Sequence, residues 1–115
     1  MGYSRFPVSP KCQRTMHGIT FDSKLEMKRY QELCFLKQAG EILWIERQPV
    51  FKVTICAKTF TTYTADFKYQ TVHGDIVIED CKSSGTAKDP AFKLRKKAAE
   101  LFHGIKITVV ITMTA

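Results

Sequence analysis

Residues 60–82 read FTTYTADFKYQTVHGDIVIEDCK, and this stretch decides the fold. Its two halves are rich in β-branched and aromatic residues, which predicts two strands, 60–70 and 75–83. The polar residues between them suit a tight turn, so we expect the strands to form an antiparallel hairpin. A third β-rich segment, residues 42–55, precedes them and contains Pro49, which should bend or interrupt it. The three segments therefore predict an antiparallel meander.

Helical patterns lie on both sides of the meander. The segment SKLEMKRYQELCFLKQAG predicts a helix from Ser23 to Ala39, because its apolar residues recur at helical spacing and Gly40 supplies a stop. A second helix is predicted to begin at the cap Asp89, with Pro90 in its first turn, and to stop at His103 and Gly104. Residues 105–113 are predicted to form a last strand. The order helix, three strands, helix, strand indicates an α/β fold with a mixed sheet covered by helices.

Length and composition bound the class of protein. The 115 residues suffice for one domain with one core, so we expect residues 1–22 to form an irregular basic N-terminal arm and residues 23–115 a single domain. The sequence contains neither an apolar run of membrane-span length nor the apolar core of a signal peptide, which predicts a cytoplasmic protein. The four cysteines lie more than twenty residues apart, which excludes the spacing of structural zinc sites and favours reduced, mostly buried thiols.

Charge is the feature of the composition that departs most from the average. Eighteen Lys and Arg residues against eleven Asp and Glu residues give a net charge of +7. A positive surface attracts polyanions through counterion release and long-range steering, which favours nucleic acid as the partner. A basic surface that is merely solvated would have the same composition, so charge alone leaves both interpretations open.

Acidic residues in the central hairpin indicate a possible metal site. Alternation along residues 75–83 places Asp80 and Lys82 on one face, and Asp66 on the partner strand can lie beside Asp80. Phosphodiester hydrolysis needs a hard cation, and clustered carboxylate oxygens hold such cations. A bound cation and a lysine would also offset the cost of burying two aspartates. The structural alternative is that the two aspartates pair with Lys82 and Lys68 on a solvated face of the sheet.

Two glutamates have different expected roles. Glu26 lies at the margin of the buried face of the first helix and can reach the metals. Ser23 and Glu26 also form a capping-box pattern, in which Glu26 only satisfies a backbone donor, and the residues alone leave both roles open. Glu79 points away from Asp80 by strand alternation, so we expect it to form a structural salt link unless a bulge shifts the register.

The second helix carries a basic cluster. Five apolar residues at helical spacing are predicted to face the core: Ala91, Leu94, Ala98, Leu101 and Phe102. The basic residues would then lie largely on the other side, as contacts to DNA phosphates: Lys93, Arg95, Lys96 and Lys97. A solvated helix face is again the alternative. Arg47 and Gln48, polar residues beside Pro49, could also face the site.

The pattern YTADFKY, then VIEDCKS, then the basic helix resembles the PD-(D/E)XK (restriction-endonuclease-like) nuclease superfamily, over about residues 19 to 112. The segments FDSKLEMKRYQEL, RQPVFKV and FKLRKKAAELFHGIKI further resemble a family of small phage endonucleases. One departure is that Ala65 stands before Asp66, where the superfamily motif has a proline that many members lack.

The resemblance implies a restriction-endonuclease-like core and assigns roles to four side chains. Asp66 takes the position of the first metal-binding aspartate, Asp80 the second acidic position and Lys82 that of the lysine, while Glu26 corresponds to a helix-borne glutamate. These are the expected catalytic residues. One or two Mg²⁺ or Mn²⁺ ions would be held by Asp66, Asp80, Glu26 and the Cys81 backbone carbonyl, and Lys82 would orient the attacking water.

The function that the resemblance implies is that of a Mg²⁺-dependent DNA endonuclease, encoded by a phage and located in the host cytoplasm. Small phage resolvases of this fold act as dimers, which suggests a homodimer and makes branched or Holliday-junction DNA one candidate substrate beside duplex and nicked DNA. The alternative from another class is a non-catalytic basic nucleic-acid-binding module, in which the carboxylates serve only as ion-pair partners.

Overall fold

In the computed structural model, which describes residues 10–16 and 18–111, two long helices pack on opposite faces of a four-stranded sheet. The elements occur in the order 3₁₀ turn Lys11–Arg14, β1 Thr15–Met16, β2 Ile19–Thr20, α1 Lys24–Gln38, β3 Ile42–Arg47, β4 Val50–Ile55, β5 Lys58–Thr64, β6 Phe67–Thr71, β7 Ile76–Lys82, α2 Ser84–Ala87, α3 Pro90–His103 and β8 Ile107–Ile111. The sheet has the order β3-β6-β7-β8, in which only the β7–β8 pair is parallel. The predicted α/β fold with a mixed sheet is therefore confirmed.

A long hairpin, bent in the middle, contains four of the strands. Strands β3 and β6 pair in the main sheet, while β4 and β5 pair as a separate two-stranded ribbon. Pairing continues through the bend, because Gln48 N–H donates to the Asp66 carbonyl at 2.9 Å and Ala65 N–H donates to the Pro49 carbonyl at 3.1 Å. The interruption at Pro49 was predicted. The interruption at Asp66 was not, since the sequence placed this residue inside a strand.

The main sheet separates two apolar cores, and the bent hairpin contributes side chains to both. Tyr63 and Ala65 belong to the core beneath α3, whereas Phe67 and Tyr69 belong to the core beneath α1. Strand alternation alone would place all four side chains on the same face. The ribbon therefore turns over relative to the main sheet at Asp66, and this residue lies at the junction of the two cores.

Both long helices have the predicted ends. The Ser23 hydroxyl caps α1, and Gly40 follows that helix with a φ of 85°. Asp89 occupies the cap position of α3 without a capping hydrogen bond from its side chain, and Pro90 is the first helical residue. Gly104 ends α3 in the left-handed region, with a φ of 64°. The short helix α2 was not predicted.

The rotation of α3 about its axis contradicts the prediction. The predicted core residues Ala91, Leu94, Leu101 and Phe102 are exposed, with Leu94 at 70% and Leu101 at 72%. The buried residues are instead Phe92, whose ring lies 6.2 Å from that of Tyr63, and Ala99. Phe92 fills the space beside Tyr63, and the small Ala99, two turns later, lets α3 pack closely against the ribbon. This packing decides which face of α3 is buried, so the leucines at helical spacing remain exposed.

The N-terminal segment is ordered where the structure describes it. The 3₁₀ turn Lys11–Arg14 and the paired strands β1 and β2 stand in place of the predicted irregular arm. Phe21 explains the difference, because its side chain is completely buried, with its ring 5.3 Å from the Tyr30 ring. The Arg14 guanidinium donates to the Phe21 carbonyl. Arg5 of the predicted basic arm lies outside the described residues.

The helices and the cysteines test two further predictions from the sequence. In the described part of the chain, no helix is both long and apolar enough to cross a membrane. Three cysteines of the described residues, Cys34, Cys56 and Cys81, have free thiols. Only Cys81 of these is buried, and Cys56 is exposed because it lies in the turn between β4 and β5, so the prediction of mostly buried thiols is wrong.

Candidate active site

Asp66 is positioned by the backbone of the neighbouring strand. Its N–H donates to the Glu79 carbonyl at 3.0 Å, and its Oδ2 accepts the Cys81 N–H at 2.7 Å. These two bonds hold the bend against β7 on either side of Asp80. The sequence predicted that Asp66 would lie beside Asp80, and the structure brings the two carboxyl groups close enough together for Asp80 to raise the pKa of Asp66.

Asp80 is the most buried charged residue of the site, at 1% exposed. Its Oδ2 accepts a hydrogen bond from the Tyr63 hydroxyl of the ribbon, and its Oδ1 lies 3.2 Å from Lys82 Nζ. The ammonium of Lys82 lies over the ring of Phe92, 5.4 Å from its centroid. The ribbon, β7 and α3 therefore meet at this aspartate and lysine, which share a face as the alternation predicted.

Glu26 reaches the site from α1. Its N–H donates to the Ser23 hydroxyl at 3.1 Å, so the backbone half of the predicted capping box forms. Its carboxylate, however, is buried against Asp66, and Oε2 lies 3.8 Å from a terminal guanidinium nitrogen of Arg47. The side chain of Glu26 thus joins the carboxylate cluster, and all four predicted catalytic side chains lie together.

Burial and mutual repulsion shift the protonation of this cluster. Burial, followed by the neighbouring Asp80 carboxylate, raises the pKa of Asp66 to about 8. Burial is also the largest cause that raises the pKa of Glu26 above its usual range. The raised pKa favours a protonated Asp66 at neutral pH, and a neutral Asp66 lowers the repulsion within the cluster.

Three buried polar atoms of the site have no hydrogen-bond partner: Glu26 Oε2, Asp80 Oδ1 and Arg47 Nε. Each of the two oxygens has a cationic side chain within 4.0 Å, but neither ion pair has hydrogen-bond geometry. Buried carboxylate oxygens in this condition are costly unless another group compensates them. The two oxygens are therefore candidate ligands for a cation.

The donor set fits Mg²⁺ or Mn²⁺, which prefer carboxylate and carbonyl oxygens. The Cys81 N–H points to Asp66. Because the N–H and C=O of one strand residue point to the same edge of the strand, the Cys81 carbonyl also faces Asp66. In the described residues no group of three or more His, Cys, Asp or Glu side chains is arranged to hold a metal ion by itself. Mg²⁺ commonly uses only one or two carboxylates and completes its shell with water and substrate phosphate.

Two residues of the site were not among the predicted catalytic residues. Tyr63 hydrogen-bonds Asp80, and its pKa is raised, first by burial and then by that bond, so it remains a donor. Arg47 lies beside Glu26, with its guanidinium 4.7 Å from the Phe21 ring centroid. The sequence suggested only that Arg47 and Gln48 could face the site. Gln48 is exposed, with a φ of 54°.

Glu79 faces away from this cluster, as predicted, and forms a structural salt link. Arg29 of α1 donates to both of its carboxylate oxygens, at 2.8 and 2.7 Å, and the Tyr69 hydroxyl donates to Oε2. Burial, followed by this hydrogen bond, raises the pKa of Tyr69 to about 12. The link joins α1 to β7 on the opposite face of the sheet from Asp80.

The basic residues of α3 are only partly arranged as predicted. Lys93, Arg95 and Lys97 are exposed. Lys96 is half-buried and lies 3.1 Å from Glu100 Oε2, which also accepts the Ile107 N–H at 2.8 Å. Lys96 is thus held by an ion pair that ties α3 to β8, because the rotation of the helix places it near the buried face.

The raised pKa of Asp66 makes the stability of the protein depend on pH. Asp66 ionises with a pKa of 3.8 in the unfolded chain and with a pKa of about 8 in the folded protein. Its contribution to the free energy of unfolding is therefore fully present below the unfolded pKa and is lost as the pH rises through the folded pKa. Asp66→Asn cannot ionise and can still accept the Cys81 N–H. We expect thermal unfolding in EDTA to give equal Tm values at pH 4 and a higher Tm for the variant at pH 8. Asp75→Asn, at an exposed turn, is the control; a similar rise there would contradict the assignment.

The family described as "Protein of unknown function (DUF1064)" matches residues 11–114. No curated protein and no solved structure matches the chain.

Proposed function

The chain belongs to the DUF1064 family, and we propose that it is a metal-dependent DNA endonuclease that hydrolyses phosphodiester bonds. The observation that carries the proposal is the convergence of carboxylates from α1, the bend and β7 beside Lys82, with two buried carboxylate oxygens left without hydrogen-bond partners. If the carboxylates had only a structural role, we would expect each of their buried oxygens to accept a hydrogen bond. Clustered acidic oxygens beside a lysine are the arrangement that metal-assisted hydrolysis requires.

The fold supports the same proposal at a coarser level. The chain has the order helix, bent hairpin, strand, helix, strand, and its last strand lies parallel to the strand that bears Asp80 and Lys82. This order resembles the restriction-endonuclease-like core of PD-(D/E)XK nucleases. We propose that superfamily for the chain, with Asp66, Asp80, Lys82 and Glu26 as catalytic residues.

Each side chain has a defined role in the proposed reaction. Asp66, Asp80, Glu26 and the Cys81 carbonyl would hold Mg²⁺ or Mn²⁺, which when bound neutralises phosphate charge and activates water. The Lys82 ammonium, held over Phe92, orients the attacking water and contacts the phosphate. Tyr63 fixes the rotamer of Asp80 through its hydrogen bond. On the opposite side of the cluster, Arg47 provides a second cation near the substrate phosphate.

Cleavage assays test the proposal directly. Supercoiled plasmid, linear duplex and a four-way junction are incubated with the protein in Mg²⁺, in Ca²⁺ and in EDTA. We expect cutting in Mg²⁺ only, with products that carry 5′-phosphate ends, and the preferred DNA would identify the substrate class. Retardation of every DNA without cutting in any metal would overturn the proposal in favour of the non-catalytic binding module. Phage origin, a homodimer and a preference for branched DNA stay predictions from the resemblance.

A further inference from the structure

The positive charge is concentrated on one part of the molecule. The ribbon and the segment containing α2 and α3, residues 50–64 and 83–106, contain eight Lys and Arg residues but only two Asp and Glu residues. Six of the seven net positive charges therefore belong to these two segments, and the rest of the chain is almost neutral. The two segments also pack together, since the Tyr63 and Phe92 rings are 6.2 Å apart and a ring nitrogen of His103 lies 2.7 Å from the Lys52 carbonyl oxygen.

Within this region the ribbon has a surface suited to a polyanion. It contains no acidic residue, and its exposed polar side chains are two lysines and three threonines: Lys52, Lys58, Thr59, Thr62 and Thr64. Val50 and Ile55, at its ends, are exposed as well. Lysine ammonium groups and threonine hydroxyls are donors that contact phosphate oxygens in protein–DNA complexes. Charge complementarity thus favours nucleic acid over a second copy of this basic chain.

The ribbon also presents a largely exposed aromatic ring. Val53 pairs with Thr61 while Thr54 pairs with Thr59, so Phe60 is the extra residue of a β-bulge. Its side chain is 64% exposed. Bulges re-aim side chains, and exposed apolar rings of DNA-binding proteins pack against sugars or between base steps.

The ribbon extends from the candidate active site itself. Asp66 follows β5 by two residues, and Tyr63 of β5 donates to Asp80. Seven residues in strand conformation span about 23 Å, the length of about seven base pairs of duplex. A two-stranded ribbon is also one of the elements that fit the major groove.

We propose that the β4–β5 ribbon is a DNA-binding arm that lies in a groove of the duplex flanking the cleaved phosphate. Lys52 and Lys58 contact phosphates, and Phe60 packs against the bases or sugars. This inference rests on the proposed function and extends it, because it names double-helical DNA beside the cleavage point as the surface that the enzyme holds.

Binding measurements with matched variants test the arm. All proteins carry Asp80→Asn and are titrated onto a fluorescent 30-base-pair duplex in EDTA at several salt concentrations. The ribbon variant Lys52→Ala/Lys58→Ala is compared with Lys28→Ala/Lys37→Ala, which removes the same charge from exposed positions of α1. We expect the ribbon variant to bind at least about tenfold more weakly, and its salt dependence to fall by about two phosphate contacts. Equal losses in the two variants would overturn the inference.

A second pair of variants separates the aromatic contact from charge. Phe60→Ser is compared with Phe35→Ser, since Phe35 is 72% exposed on α1, far in sequence from the ribbon. We expect only Phe60→Ser to weaken DNA binding, with unchanged Tm in both.

The outcomes separate the DNA-binding arm from the proposed nuclease activity. If wild-type protein cuts DNA but both ribbon variants bind DNA like their controls, the proposal of the DNA-binding arm is wrong and the proposal of the nuclease is retained. If wild-type protein neither binds nor cuts DNA, both proposals fail. Altered sedimentation of Phe60→Ser without a change in DNA binding would assign the ribbon to protein contacts instead.

Discussion

Asp80→Asn is expected to reduce DNA cleavage in Mg²⁺ by about a thousandfold or more, while DNA binding in EDTA stays at the wild-type level. The variant removes one charge from the centre of the site but keeps an oxygen for the Tyr63 hydroxyl. Losing one strong electrostatic group from an active site costs on the order of a hundred- to a thousandfold in rate, and loss of a metal ligand also weakens the ion. Binding should persist because the basic surfaces of the ribbon and α3 are unchanged.

The comparison variant for this prediction is Asp75→Asn, which removes an exposed carboxylate from the turn before β7. Cleavage of plasmid DNA is followed with time, and the Tm of each protein is measured to exclude unfolding. If Asp80→Asn cuts at a rate within about tenfold of wild type, Asp80 is not a metal ligand and the site must be assigned elsewhere. If both variants lose DNA binding, the basic surfaces do not dominate the affinity.

Local patterns predicted the elements that sequence neighbours determine. The cap at Ser23 and the stop at Gly40 defined α1, because both act within one turn of the helix end. Alternation in β7 separated Asp80 and Lys82 from Glu79 correctly, since a strand has only two faces. The candidate site was therefore visible in the sequence wherever its residues share one regular element.

The features that the sequence did not predict depend on contacts between distant segments. The bend at Asp66 arises because the ribbon leaves the main sheet to pack against α3, a packing that no pattern within 60–70 specifies. The rotation of α3 follows from the fit of Phe92 beside Tyr63, against a more regular leucine stripe. Arg47 reaches Glu26 only because β3 lies beneath the start of α1. An apolar stripe on a helix or an alternating pattern in a strand does not specify which segment it packs against. The bend, the rotation of α3 and the position of Arg47 can therefore be seen only in the folded structure.

Arg29→Met is expected to destabilise the protein by about 3 kcal/mol and to lower its Tm by about 10 °C or more. The guanidinium makes two hydrogen bonds to Glu79, whose carboxylate is buried, and removing it leaves that charge without its partner. Breaking a buried pair from one side is far more costly than breaking an exposed one. The same arginine supplies the control, since its other ion pair, with Glu32 at 3.2 Å, is exposed. Glu32→Gln should change the free energy of unfolding by less than about 1 kcal/mol.

A double-mutant cycle shows whether the buried charge is the cause. Arg29→Met combined with Glu79→Gln should recover much of the lost stability, because the amide still accepts the Tyr69 hydroxyl and no longer carries charge. Additive losses would contradict this explanation. Arg29 lies one helical turn after Glu26, and Glu79 precedes Asp80, so the ion pair joins the two elements that bear the candidate metal ligands. Arg29→Met should therefore also weaken Mn²⁺ binding, whereas Glu32→Gln should not, because an exposed pair within α1 leaves the distance from α1 to β7 unchanged.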